Sequence, residues 1–168
     1  PVGALVSKDF LNKARAWELD RTASVCTGCS QGCNTVLETR DNVIVRQKPR
    51  SNDAVNHFYL CDEGRFDYRW MNRPDRAEAP KIKVADVLTL VDWEIAYAEA
   101  AKALAGKRAY VVASPSLSNE ALYLLKQIVG KTGGEGVFRC ETGAEAPLPG
   151  VPDLSLRADR APNVHGAE

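Results

Sequence analysis

The sequence has no surplus of charge: 22 basic and 22 acidic side chains cancel across 168 residues. Nucleic-acid-binding domains carry a basic excess, so no nucleic-acid partner is expected. No apolar run approaches the ~20 residues that a membrane span needs, and no signal-peptide pattern is visible. A direct membrane span is therefore not expected. Low-complexity and collagen-like stretches are also missing; 45% apolar and 26% charged residues fit an ordinary globular chain and exclude a disordered one. There is no internal repeat. Only two histidines are present, His57 and His165, and neither has an obvious catalytic partner in sequence. Ser114, Ser116 and Ser118 lack an elbow motif, and the Ser114–Asn119 turn lacks the glycines that let a phosphate approach a helix N-terminus. The chain begins at Pro1, not Met, and ends abruptly at Glu168, so a fragment of something longer is expected.

Cysteine is what the sequence has in an unusual arrangement. Cys26, Cys29, Cys33 and Cys61 form a C-x2-C-x3-C-x27-C pattern, with Cys140 left over. Three thiols within eight residues make poor disulfide partners for one another. Clustered cysteines in a chain without a signal peptide point to metal or redox chemistry. Thr27, Gly28, Ser30, Gln31 and Gly32 are small or polar, and glycines let backbone N–H groups turn towards an anionic centre. Structural zinc usually draws thiolates as two spaced pairs. Three ligands from one tight loop and a fourth from afar suit a [4Fe–4S] cubane better. A zinc site and inert buried thiols stand as the alternatives. Cys140 reads as a small buried hydrophobe in a strand, and His57 as a solvated loop histidine near the cysteines.

The periodicities divide the chain near residues 73–80. Residues 1–24 read as an extended lead-in with one helical turn. Thr35–Thr39 and Val43–Gln47 are strand-like, and Asp41-Asn42 between them tolerates positive φ, so a hairpin is predicted. Its strands leave Cys33 and return towards Cys61, which accounts for the long gap. Residues 48–60 are expected as a loop over the site and 62–71 as a short helical turn. Beyond the boundary, Asp92 is placed to cap a helix carrying Trp93, Ala96, Tyr97, Ala100, Ala103 and Leu104, closed by Gly106. Tyr110–Ala113 looks like a buried strand. Ser118 caps a second helix, stopped at Gly133-Gly134, and Val137–Cys140 is the next strand. Strand, helix and strand in that order begin a parallel α/β layer. The stretch from Gly143 to Pro152 reads as a surface loop. The fold class expected is an α+β lobe, a β-hairpin with Cys loops, followed by the start of an α/β parallel-sheet domain.

Cys26-Thr-Gly-Cys29-Ser-Gln-Gly-Cys33-Asn with Leu60-Cys61-Asp-Glu-Gly-Arg65-Phe66 resembles the iron–sulfur region that opens chains of the molybdopterin-oxidoreductase superfamily. Pro1-Val-Gly-Ala-Leu5 and Lys13-Ala-Arg15-Ala-Trp17-Glu-Leu19 look more particularly like the large iron–sulfur (G) subunits of bacterial NADH–quinone oxidoreductase, respiratory complex I. Asn72-Arg-Pro-Asp-Arg76 and Arg157-Ala-Asp-Arg160-Ala-Pro-Asn163 also match. The resemblance implies three segments: 1–24 as a lead-in from an upstream ferredoxin-like cluster domain, 25–76 as a [4Fe–4S] lobe, and 77–168 as part of a molybdopterin-oxidoreductase-like α/β domain. It implies one [4Fe–4S] cluster on Cys26, Cys29, Cys33 and Cys61, single-electron transfer, and no substrate chemistry in this fragment alone. Its partners would be other subunits of the peripheral arm, on the cytoplasmic side of the bacterial inner membrane. The resemblance further implies that this additional cluster lies off the main electron route in the bacterial enzymes that keep it, and so has a largely structural role.

Two departures separate the chain from the molybdenum enzymes of the superfamily. Those enzymes generally place a Lys two residues after the fourth Cys, where this chain has Glu63. By a short alignment Val164, before His165-Gly166, stands where formate dehydrogenases carry a molybdenum-binding Cys or selenocysteine. No molybdenum is therefore expected. The alternatives are the N-terminal part of a molybdenum or tungsten formate dehydrogenase, and a structural zinc-binding interaction module.

Overall fold

The computed structural model describes residues 4–167; Pro1, Val2 and Gly3 of the lead-in motif, and Glu168, lie outside the described residues. The predicted hairpin is present. β2 (Asn34–Arg40) and β3 (Val43–Pro49) pair antiparallel, and Asp41 and Asn42 turn the chain between them at φ 51° and 61°. Asp and Asn tolerate this left-handed backbone, and it matches the twist of the flanking strands. A third strand was not expected: β1 (Asp20–Val25) pairs antiparallel along β2, in the order β1-β2-β3. Its sequence, Asp-Arg-Thr-Ala-Ser-Val, carries no apolar alternation because its side chains are almost all exposed. Only pairing with β2 makes it a strand. The helical turn expected in the lead-in is a 3₁₀ turn at Ala16–Glu18.

The lead-in is fastened to this sheet by polar contacts. Tyr68 is 1% exposed, and its hydroxyl lies 2.5 Å from Asp9, 2.8 Å from the Val45 carbonyl and 2.8 Å from the donating Lys13 Nζ. Glu38, also 1% exposed, is flanked by Arg21 at 3.2 Å and by Arg46, whose guanidinium lies over the Phe10 ring. A buried carboxylate needs such partners, because leaving water unpaired costs several kcal/mol. The expected 62–71 turn divides into α1 (Asp62–Phe66) and a 3₁₀ turn at Arg69–Asn72. Asn72 then docks on β3, accepting from the Ile44 amide at 3.0 Å and donating to its carbonyl at 2.7 Å. The loop of 48–60 is pinned from inside by Asn56, wholly buried. Asn56 accepts from the Asn34 amide at 3.1 Å and donates to the Tyr59 carbonyl at 2.9 Å.

The second half holds the expected helices: α2 (Trp93–Leu104) and α3 (Asn119–Thr132), the latter capped by the Ser118 hydroxyl and ending at Gly133 (φ 63°). Between and after them, β6 (Tyr110–Ala113) and β7 (Glu135–Phe138) pair in parallel, with α3 as the crossover. Three expectations are corrected. β6 is not buried, since Tyr110 is 68% and Val112 72% exposed. β7 ends at Phe138, so Cys140 lies beyond it, partly exposed, with its thiol 3.3 Å from the Glu141 carbonyl. The stretch of 143–152 is no plain loop: it holds β8 (Ala146–Leu148) and the start of β9 (Val151–Leu156), an antiparallel hairpin. A further hairpin, β4 (Lys81–Val84) with β5 (Val87–Leu90), fills the expected boundary region. The chain closes with a short α4 (Val164–Ala167). Neither α2 nor α3 fully buries a residue; the apolar positions of α2 are largely exposed, while Leu122, Leu125 and Val129 of α3 are half-buried. Among the described residues, no helix is long and apolar enough to cross a membrane.

Candidate metal centre

The four cysteines of the sequence pattern meet at one place. Cys26, Cys29, Cys33 and Cys61 line a single pocket with Gly28, Gln31, Glu63, Gly64 and, from the far end of the chain, Leu148, Leu154, Ser155 and Leu156. The sheet explains how. β1 ends at Val25 and β2 begins at Asn34, so the loop carrying three thiols is held at both ends by strand pairing. The Cys26 amide donates to the Cys33 carbonyl at 2.8 Å, and the Gly32 amide to the Cys29 carbonyl at 3.3 Å, with Gly32 turning at φ 63°. The hairpin and the Asn56-pinned loop then return the chain to Cys61. Cys61 is the N-cap of α1, and its sulfur accepts the Gly64 amide at 3.3 Å.

Gly64 is where this packing is tightest. A Cβ built there would lie 2.8 Å from Leu60 Cδ1 and 3.0 Å from Cys26 Sγ, and Leu60 forms a small buried core with Cys26 and Cys33. Cys26, Cys29 and Cys33 are buried and Cys61 is half-buried. Burial pushes the Cys26 thiol up to about 11, against the Gly28 amide, which favours its thiolate; the nearby cysteines add to the rise. Burial pushes Cys33 up to about 12, with Cys26, Cys29 and Cys61 reinforcing it. As thiolates, four sulfurs crowded in one apolar pocket would repel one another. Positive charge from bound metal is what such a donor set needs.

The donor set fits an iron–sulfur group. It is all thiol, shielded from water by leucines, with backbone amides aimed at two of its sulfurs. Among the described residues, no group of three or more His, Cys, Asp or Glu is arranged to hold a single metal ion. His57 stays outside this pocket, in a turn bridged from Asn52, with Nδ1 4.0 Å from the Asp53 carboxylate. Glu63 lies at the pocket's rim, 3.8 Å from Arg160.

Sequence reasoning missed the contributions of the far segment. The Ser30 amide donates to the Asp159 carbonyl at 3.0 Å, and Arg157 Nε donates to Gln31 Oε1 at 2.9 Å. The only local signal was the Arg-Ala-Asp-Arg run itself, and nothing in it points to a residue 126 positions earlier.

Comparison with known proteins points to the same region of the chain. Residues 19–73, the sheet, the cysteine loop and α1, match the molybdopterin oxidoreductase Fe4S4 domain, a class that carries a [4Fe–4S] cluster. More particularly, the chain is homologous to a stretch of the G subunit of NADH-quinone oxidoreductase. It is 35% identical to that subunit of Pseudomonas fluorescens over 131 residues, 77% of this chain and 14% of the relative. To that of Shewanella oneidensis it is 33% identical over 166 residues, 94% of this chain and 18% of the relative. To that of Escherichia coli it is 33% identical over 133 residues, 78% of this chain and 15% of the relative. The chain thus spans less than a fifth of the length of these three relatives.

Proposed function

We propose that this chain is the cluster-binding, electron-transfer segment of an NADH–quinone oxidoreductase G subunit, with Cys26, Cys29, Cys33 and Cys61 as the ligands of one [4Fe–4S] cluster. The observation that carries it is the meeting of the three loop thiols and the distant Cys61 in one leucine-shielded pocket. When bound, the group takes up and gives back one electron at a time. The chain's part is to hold four thiolates, offer the Gly28 and Gly64 amides to sulfur, and exclude water. Burial and those hydrogen bonds set the potential. On this reading residues 25–76 are the cluster lobe, residues 1–24 lead in from an upstream cluster domain, and 77–168 begin a parallel α/β domain. The β6–α3–β7 unit supports the last assignment. The partners are other subunits of the peripheral arm, and the place is the cytoplasmic face of the inner membrane. Glu63 in place of a lysine at the pocket rim supports a subunit without molybdenum.

The test is iron, acid-labile sulfide and zinc content of the anaerobically purified chain, with a paramagnetic spectrum after dithionite reduction. About four irons and four sulfides per chain with a reducible signal are expected. One zinc without sulfide would overturn the assignment in favour of a structural module.

A further inference from the structure

The β8–β9 hairpin lies across the cysteine pocket although it comes from the opposite end of the chain. Leu148, Leu154 and Leu156 form its inner wall, and Leu154 is only 3% exposed. Apolar contact alone would let so short a hairpin slide or lift, since a two-stranded ribbon is marginal by itself. Polar contacts fix it. Arg157, directly after β9, donates from Nε to Gln31 Oε1 at 2.9 Å, while Gln31 Nε2 donates to the Val55 carbonyl at 2.6 Å. Gln31 therefore joins the cysteine loop, the 48–60 loop and the hairpin. Arg160 Nη1 reaches to 3.8 Å from Glu63 at the rim, and is itself buried without a hydrogen-bond partner. Both arginines are braced on the hairpin side, Arg157 by Glu145 at 3.1 Å and Arg160 by the Ala144 carbonyl at 2.9 Å.

We propose that Arg157 and Arg160 are positioning residues that clasp the β8–β9 hairpin over the mouth of the cysteine pocket, closing it to water, chelators and oxidants. The inference rests on the cluster assignment above and deepens it. Neither arginine is a cluster ligand. Each acts through a residue of the pocket, Gln31 or Glu63, and each brings positive charge towards a centre made anionic by four thiolates. Removing them frees the hairpin and withdraws that charge.

The experiment uses the full chain with its cluster and compares it with the R157A/R160A double variant. Iron transfer to a ferrous chelator is followed anaerobically, and the midpoint potential is measured by spectroscopic titration. Iron release about tenfold faster is expected, the effect of one to two lost hydrogen bonds, together with a more negative potential and unchanged circular dichroism. If the double variant does not accumulate, Arg157→Gln carries the same test, with about threefold faster release expected. A second readout needs no cluster: in the metal-free chain, the variant's cysteines should react faster with a disulfide reagent. A wild-type chain that binds iron and sulfide, with release and thiol reactivity unchanged in the variants, overturns the clasp alone. A wild-type chain that binds neither overturns the cluster assignment and the inference resting on it.

Discussion

Replacing Gly64 by alanine sets two effects against each other, and the structure decides which wins. Alanine inside a helix is favoured over glycine by about 0.5–1 kcal/mol. At Gly64, however, the added methyl would stand 2.8 Å from Leu60 Cδ1 and 3.0 Å from Cys26 Sγ, both in the buried core of the lobe. Overpacking of this kind costs about 1–3 kcal/mol. The net expectation is a loss of about 1–2 kcal/mol, larger with the cluster bound because Cys26 then cannot give way. Gly130, in the exposed part of α3, is the matched control: nothing lies within 4 Å of a Cβ there, so Gly130→Ala should stabilise by about 0.5–1 kcal/mol. Urea titrations followed by fluorescence would read both, Trp17 and Trp70 reporting on the first half and Trp93 on the second. If Gly64→Ala proved as stabilising as Gly130→Ala, with iron retained, the tight approach of α1 to Cys26 would be refuted.

Four further outcomes are expected. Tyr68→Phe removes the hydroxyl shared by Asp9 and the Val45 carbonyl, leaving Asp9 to Arg69 and Lys13, and should cost about 1–3 kcal/mol in the same titration; no loss would show that the lead-in is not anchored there. The Tyr68 hydroxyl, with Arg69 and Lys13, holds the Asp9 carboxyl down at about 2 against burial, below its ordinary 3.8. Its contribution is therefore whole above about pH 4 and fades as pH falls towards 2, so Asp9→Asn should flatten the acid limb of stability against pH in the metal-free chain. Arg46→Met leaves the buried Glu38 carboxylate with only the exposed Arg21, and should cost about 3–5 kcal/mol. Glu38→Met should cost distinctly less, and thermal melts yielding the opposite order would contradict this. Cys61→Ser should lower iron content and expose the first half to protease, whereas unchanged iron and unchanged resistance would deny Cys61 its role.

Local chemistry made much of the chain legible. Four cysteines at metal-binding spacing, an Asp-Asn turn between strand-like runs, and the Ser118 cap each act within a few residues, whereas Asp92 stands at the start of α2 without a capping hydrogen bond from its side chain. Sequence order therefore placed the thiol loop, the β2–β3 hairpin, both long helices and the parallel order of β6 and β7. What failed depended on partners far along the chain. β1 has no apolar pattern of its own and is a strand because β2 lies beside it. The 143–152 stretch carries the prolines and glycines of a loop, yet holds β8 and the start of β9. Cys140 sits in an apolar-looking run but ends half-exposed past β7.

The sequence by itself marked out which side chains are the candidate ligands, because ligand chemistry is a property of residue type and spacing. Only the tertiary structure decided which distant residues surround the cysteines. Gln31 and Arg157 are joined across 126 positions, Glu63 faces Arg160, and Leu154 lines the pocket with the four cysteines. Such contacts arise from the packing of distant elements, and no periodicity along the chain records them.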